Sequence, residues 1–353
     1  FRLAHIMFGR EIIEVSTFRA LQEPGDSNGA QHEDEDGSIV RDNVYGSIED
    51  DALRRDFTVN ALYYNIDDFS IIDYAGGMRD IEAGVLRLLG DPETRYREDP
   101  VRMLRAVRFA TKLGFRIEAE TERPISTLAT LLGDIPPALL FDVMLKLFLS
   151  GSALDNFEML RHYDLFRQLF PLTDESLTHQ ENEFPLTLIS RGMANTDERV
   201  VAGKPVTPAF LFAVFLWEPV RFRAARLESE GQAPAQALQH AGSQIITEQA
   251  AVMATPRRFS LPMREIWMLQ LRLERKGGRR SLRVLGHPRF RAAYDFLLLR
   301  GAAGEVSQEL CDWWPEFQEI PPEKREQEMT KTRPRKRRRR RPRRKAGAEG
   351  NQA

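Results

Sequence analysis

Arg54-Arg55-Asp56-Phe57-Thr58-Val59-Asn60-Ala61, followed some forty residues later by Glu98-Asp99-Pro100-Val101-Arg102-Met103-Leu104-Arg105, is the pair of stretches that decides the fold. Between them lies Asp73-Tyr74-Ala75-Gly76-Gly77-Met78-Arg79-Asp80, a turn that can act as a hinge. Acidic residues open the segment Asp51 to Tyr64, and Phe57, Ala61 and Tyr64 follow at helical spacing, so a helix is expected there. Asp99 suits a helix N-cap and Pro100 the first helical position, which predicts a second helix running to about Leu113. Arg102, Arg105 and Arg108 recur every three residues and share one broad face of it. Taken alone, Arg54-Arg55-Asp56 reads as an exposed charged turn, and Asp99 with its arginines as ordinary capping beside a solvated basic face. A carboxylate and a guanidinium together also offer an acceptor and donors to a base edge.

Upstream, Arg2 to Phe8 and Glu11 to Arg19 are rich in Ile, Val, Phe and Thr and are split by Gly9-Arg10, which reads as a hairpin. Glu14 sits between Ile13 and Val15 with no basic neighbour within three residues. By spacing alone it faces solvent on an edge strand. Asp34-Glu35-Asp36 lies in a stretch of Gly, Ser and acids and reads as a solvated loop.

Beyond Asp99 the pattern is helical. Helices are expected over Pro124 to Leu132, Leu139 to Leu149 and Leu154 to Phe170, with polar connections at Thr173 to Asn182 and Gly192 to Lys204 around a short helix. Pro208 to Trp217 is apolar on nearly every side, as in a buried core helix, and Gln232 to Ala250 is Ala- and Gln-rich and helical. From Pro256 to Asp295 arginines alternate with aromatics. Such a pattern serves either phosphate contact with base stacking or core aromatics beneath a solvated arginine face.

The 353 residues, 42% hydrophobic, suffice for several domains. The longest clean apolar run, Ala209 to Trp217, is too short to span a bilayer. A single Cys311 forbids an internal disulfide and agrees with a reducing, cytoplasmic location, and no Cys/His cluster has metal-ligand spacing. The net charge of -1 hides an asymmetry. Residues 1–330 carry 39 basic and 51 acidic side chains, a net of -12, whereas twelve of the fifteen residues from Lys331 to Lys345 are Lys or Arg. Arg257 to Arg300 holds twelve basic and three acidic side chains. An acidic body with two basic regions points to a polyanion bound at chosen places. The tail, without an apolar residue from Lys331 to Lys345, cannot bury a core and is expected to be disordered.

The three motifs, in this order and spacing, resemble those of the bacterial nucleotidyltransferases that extend RNA 3′ ends, the poly(A) polymerases and the CCA-adding enzymes. The resemblance implies an α+β fold, a partial nucleotidyltransferase palm with a mixed sheet followed by all-helical parts. Its divisions are palm at 1–92, neck with base recognition at 93–150, body at 151–250, Arg-rich RNA-binding domain at 251–330 and tail at 331–353. It implies that Arg54, Arg55, Asp56 and Asn60 meet the sugar and phosphates of the incoming nucleotide, and that Asp99 and Arg102, with Arg105 beside them, read its base. Glu14 falls where the family carries a third active-site carboxylate, so Asp56 and Glu14 are the catalytic expectations and Glu14 a possible metal ligand.

The Arg-rich region and the run Cys311-Asp312-Trp313-Trp314-Pro315-Glu316-Phe317 look like the C-terminal domain of bacterial poly(A) polymerases, which CCA-adding enzymes of this class generally lack. The resemblance therefore implies template-independent AMP transfer from ATP to RNA 3′ ends, with Mg²⁺ and pyrophosphate release, serving RNA decay. RNA contacts are expected at Arg257, Arg258, Arg289, Arg291, Lys331, Arg337, Arg338 and Arg339. CCA addition to tRNA and a non-catalytic RNA-binding protein are the rival readings. Two departures stand out. Leu139, Asp142 and Val143 occupy neck positions where an arginine and two acids are usual. The family's Asp-x-Asp, which supplies its main metal ligands, has no counterpart here; with Phe1 opening directly in a strand, the chain is expected to be a fragment without activity of its own.

Overall fold

The expected hairpin forms in the computed structural model, which describes residues 3–20, 32–33, 39–40, 45–178, 184–277 and 279–321. Strands β1 (Leu3–Phe8) and β2 (Glu11–Ser16) pair antiparallel, from Leu3 opposite Ser16 to Phe8 opposite Glu11, around a left-handed Gly9. A second antiparallel pair joins β3 (His32–Glu33) to β4 (Ile39–Val40). Helix α1 (Ile48–Leu53) begins at a capping box in which Ser47 and Asp50 satisfy each other's backbone N–H groups. A 3-10 turn at Thr58–Asn60 leads to the antiparallel pair β5 (Leu62–Tyr64) and β6 (Ile71–Asp73), and then to α2 (Gly77–Ala83). Strand β7 (Val85–Leu86) runs parallel to β8 (Arg116–Ile117), with α3 (Pro92–Glu98) and α4 (Val101–Leu113) in the connection. Among the described residues the strands thus make three antiparallel pairs and one parallel pair, the α+β class expected.

The remainder is helical: α5 (Ala119–Glu122), α6 (Ile125–Leu128), a 3-10 segment at Ala129–Asp134, α7 (Pro137–Phe148), α8 (Ala153–His162), α9 (Leu165–Leu169) and α10 (Pro171–Thr178). There follow α11 (Phe184–Val201), α12 (Pro208–Phe215), α13 (Trp217–Ser229), α14 (Pro234–Val252), α15 (Arg257–Leu273), α16 (Arg279–Leu285), α17 (Phe290–Ala302) and α18 (Gln308–Glu319).

Several expectations are corrected. The helix expected over Asp51 to Tyr64 ends at Leu53, because the following backbone bonds elsewhere: Thr58 N–H donates to Arg87 O at 3.0 Å and Leu89 N–H to Asp56 O at 2.9 Å. Leu154 to Phe170 is two helices, broken where Asp164 takes a left-handed conformation at φ 58°. The polar connections expected at Thr173 to Asn182 and Gly192 to Lys204 are largely helical, in α10 and α11. Gly192 is tolerated inside α11 because a Cβ there would lie 2.8 Å from the Val214 side chain, so the two helices approach closely. The tail from residue 322 onward lies outside the described residues, as does the acidic stretch at 34–36.

One hydrophobic cluster runs from Phe57 and Tyr96 through Met103, Phe148, Phe166 and Phe215 to Trp267. Phe215 is its hub, with ring centroids 4.6 Å from Phe170 and 5.0 Å from Phe148. Each such side chain contributes about 1.5–3 kcal/mol by leaving water. Helix α4 is held by this cluster: Met103, Leu104, Ala106, Val107 and Ala110 are buried, which leaves Arg102, Arg105 and Arg108 on its partly exposed side. A second cluster gathers Leu273, Phe290, Tyr294, Leu297 and Trp314. Helix α15 serves both, giving Met263, Ile266 and Trp267 to the first and Leu269 and Leu273 to the second. Among the described residues no helix is long and apolar enough to cross a membrane.

Candidate nucleotide site

Asp56 stands at the centre of the site, brought to α4 by the backbone bonds that end α1. Its Oδ1 accepts from Arg102 Nε at 2.8 Å and its Oδ2 from Arg105 Nη1 at 2.6 Å. Burial works against the carboxylate's charge, but these two arginines outweigh it and hold Asp56 below its ordinary pKa. Arg102 is fixed further: its Nη1 donates to Arg95 O at 2.6 Å and to Glu98 Oε2 at 3.0 Å. Asp99, at the joint between α3 and α4, accepts from Val101 N–H at 3.1 Å and lies 3.4 Å from Arg105 Nη1. Asp99 is the expected N-cap of α4, with Pro100 in the first helical position; instead Pro100 holds the N-cap, and Asp99 sits one residue earlier as the C-cap of α3. The structure brings Asp56, Asp99, Arg102 and Arg105 into one charged cluster, linked across more than forty residues of sequence.

Arg54 and Arg55 sit at the end of α1. Arg55 grips the buried Asp51 through Nε at 3.2 Å and Nη2 at 2.8 Å, and Tyr63 Oη donates to the same carboxylate at 2.6 Å. Burial raises Asp51's pKa, but Tyr63, Arg55 and the backbone N–H of Arg19 together bring it below the ordinary value. Arg54 reaches Asp51 only at 3.9 Å, and that acid already serves two other side chains. Burial, then the nearby charge of Arg19, push the Arg54 guanidinium below its usual pKa. An incompletely neutralised cation of this kind favours an anion such as a phosphate. Asn60 ends the 3-10 turn and is exposed.

The Gly76-Gly77 turn is pinned. Asp73's carboxylate accepts N–H bonds from Ala75, Gly77 and Met78 at 2.9–3.1 Å, and Gly76 adopts φ 76°. A Cβ on Gly77 would lie 2.4 Å from Thr58 O, so this turn abuts the backbone just after Asp56. In this conformation the turn braces the backbone beside Asp56.

Glu14 lies in the hairpin, exposed, with His5 Nε2 3.6 Å away on the facing strand. The described hydrogen bonds and ion pairs do not join it to the Asp56 cluster. Among the described residues no group of three acids, histidines or cysteines could hold a metal ion, and Asp51 and Asp56 are committed to arginine. These residues do not fit a Mg²⁺ site by themselves.

Sequence reasoning assigned no site role to Asp51, Tyr63 or Arg95, and took Glu98 only as part of a motif. The three-residue spacing of Arg95 and Glu98 was a visible signal for an ion pair, and they sit 3.1 Å apart. Nothing local marked Tyr63 as a partner of Asp51.

In the Arg-rich region Arg257 and Arg258 are exposed at the start of α15, Arg258 over the Phe259 ring. Arg289 and Arg291 border a groove of about 530 Å³ with Arg199, Phe210 and Ile266, and they pair with Glu265 and Asp295. The aromatics serve packing rather than stacking on bases: Trp267, Phe290, Tyr294, Trp314 and Phe317 are buried. Lys331 and Arg337 to Arg339 lie outside the described residues. Leu139 and Asp142, which depart from the family's expected charges, are exposed on α7.

Three family models match the chain: the poly A polymerase head domain over residues 1–87, the probable RNA and SrmB-binding site of polymerase A over 114–177, and the polymerase A arginine-rich C-terminus over 230–345. Poly(A) polymerase I of Salmonella typhi is 47% identical over 330 residues, covering 92% of this chain and 71% of that protein. The Haemophilus influenzae poly(A) polymerase I is also 47% identical, over 93% and 73% respectively. A CCA-adding enzyme of Lactiplantibacillus plantarum is 37% identical over 44% of this chain and 40% of its own length. Among solved structures, a tRNA nucleotidyltransferase complexed with a primer tRNA and an incoming ATP analog shares the fold, with a TM-score of 0.58 and 21% identity over 90% of this chain and 80% of that one. With 47% identity over more than nine-tenths of its length, the chain belongs to the bacterial poly(A) polymerase I family.

Proposed function

We infer that this chain is part of a template-independent poly(A) polymerase, a polynucleotide adenylyltransferase whose full-length form transfers AMP from ATP to RNA 3′ ends and releases pyrophosphate, promoting RNA decay. The observation that carries this reading is the 47% identity to poly(A) polymerases over 92% of the chain, Arg-rich region included, against a CCA-adding relative that spans 44%. Phosphoryl transfer asks the protein for position and charge rather than covalent chemistry. Arg54 and Arg55 are suited to the triphosphate and the exposed Asn60 to the sugar. Asp99 and Arg102 offer an acceptor and donors to the adenine edge, and Asp56 holds Arg102 and Arg105 in place for them. Arg257, Arg258, Arg289 and Arg291 provide cations for the RNA backbone, and the tail adds more.

The divisions at 1–92, 93–150, 151–250, 251–330 and 331–353 are the working assignment of palm, neck, body, Arg-rich domain and tail. Mg²⁺ is the cofactor this chemistry calls for, stabilising charge on the phosphates. Glu14 is the carboxylate assigned toward it, although by itself Glu14 makes no metal site. A cytoplasmic site of action agrees with the single cysteine and the RNA substrate.

The test compares, in the full-length enzyme, ATP-only tailing of generic RNA with CTP use on tRNA lacking its terminus. Long ATP-dependent tails on unrelated RNAs are expected. Efficient CTP addition confined to tRNA would favour the CCA-adding activity instead.

A further inference from the structure

Arg95 is absent from every motif read above, yet it touches both halves of the nucleotide site. Its Nη2 donates to Arg54 O at 3.2 Å and to Arg55 O at 3.0 Å. Its Nη1 donates to Glu98 at 3.1 Å, and its own carbonyl accepts from Arg102 Nη1 at 2.6 Å. Its side chain is 18% exposed, and its Nε is buried without a hydrogen-bond partner. One nitrogen thus gathers the two carbonyls of the turn that presents Arg54 and Arg55, while the same residue's backbone and its Glu98 partner fix the guanidinium of Arg102. A planar guanidinium can span this arrangement; an ammonium, as a point charge, cannot do so with the same geometry.

We propose that Arg95 is a positioning residue that couples selection of the base to placement of the triphosphate. The proposal rests on the reading that Arg54 and Arg55 meet phosphates and that Arg102 reads the base. Its content is that the two are mechanically one. When Arg102 engages adenine, its Nη1 keeps the Arg95 carbonyl and Glu98 in place, and Arg95 in turn keeps the turn carbonyls in place. A base that fails to engage Arg102 loosens the turn as well, so a poor base costs catalysis in addition to binding.

The test measures kcat and KM for ATP and for CTP in the full-length enzyme carrying Arg95→Gln or Arg95→Lys, with Arg102→Ala and the double variant alongside. Arg95→Gln is expected to lower the ATP-over-CTP ratio of kcat/KM about tenfold, the scale of a lost charge-assisted hydrogen bond. It should also raise KM for ATP, and the double variant should lose less than the product of the single losses. Arg95→Lys keeps the charge beside Glu98, so it should preserve folding and restore part of KM but little of the ratio. A ratio within twofold of the parent in both Arg95 variants, while Arg102→Ala lowers it, would show that Arg95 supports only the fold. An unchanged ratio in Arg102→Ala itself would remove the base-reading role and the coupling with it.

Discussion

Arg102 Nε donates to Asp56 Oδ1 at 2.8 Å although forty-six residues separate the two in sequence. Arg102 therefore enters any encounter with a nucleotide already oriented. Nε and Nη1 are committed to Asp56, Arg95 and Glu98, and Nη2 carries none of these bonds. A guanidinium held at two of its nitrogens loses little further freedom on meeting a base, which favours selectivity.

Replacing Arg102 by Ala in the enzyme should lower the preference for ATP over other nucleotides by about 1–3 kcal/mol, the range for a good side chain-to-base contact. The fold should persist, because Arg105 still pairs with Asp56 and the buried apolar face of α4 is untouched. Unchanged preference in competition assays with mixed nucleotides would return Asp99 and Arg102 to capping and surface charge.

Asp51 and Asp56 both sit below the ordinary carboxyl value of 3.8 in the folded chain. A depressed folded pKa contributes stability that is fully present above the unfolded value and is lost as pH falls through the lower folded one. Melting temperature should therefore hold steady near neutrality and drop as the solution is acidified below 3.8. Asp51→Asn should lower Tm at pH 7, since it removes the charge that Arg55 and Tyr63 share, and should flatten the acid limb. Parallel acid limbs in the parent and the variant would show that Asp51 does not drive the loss.

Deleting Lys331 to Ala353 should weaken RNA binding at low salt and flatten its salt dependence, because each lysine or arginine on a phosphate releases counterions. ATP use on short primers should change little. RNA titrations at several salt concentrations decide the matter: equal affinity and slope with and without the tail would end the idea of an electrostatic tether.

What the sequence made legible follows the range of the forces involved. The hairpin, α4, α12 and α14 were visible because strand alternation and apolar spacing act within a few residues, although the N-cap of α4 is Pro100 and not Asp99. The turn at Arg54 to Asp56 was hidden because Phe57 and Leu88 form an antiparallel bridge, and a partner thirty-one residues away leaves no local period. Phe57 at helical spacing from Ala61 looked like one face of a helix, whereas each is buried in a different cluster. In the site, the family resemblance singled out Asp56, Asp99, Arg102 and Arg105, which spacing alone read as a charged turn and ordinary capping. It gave no sign that Arg102 is bonded to Asp56, because that link depends on how α4 packs. The Arg-rich region shows the limit most plainly: arginine alternating with aromatic residues fits two readings, and burial of Trp267 and Trp314 decides between them for the rings.

Helix α15 carries one further consequence. Trp267 is seated in the larger hydrophobic cluster, its indole N–H donating to Ala213 O at 3.1 Å, while Leu273, six residues on, belongs to the smaller cluster and its carbonyl accepts from Trp314 Nε1 at 3.1 Å. The two clusters therefore share a structural member, and neither can melt without stripping partners from the other. In calorimetry they should behave as one cooperative unit, with no low-temperature transition belonging to the Arg-rich end alone. For an enzyme that must hold a long polymer at one place and add to it at another, such joint melting keeps the spacing between the two fixed up to the temperature at which both are lost.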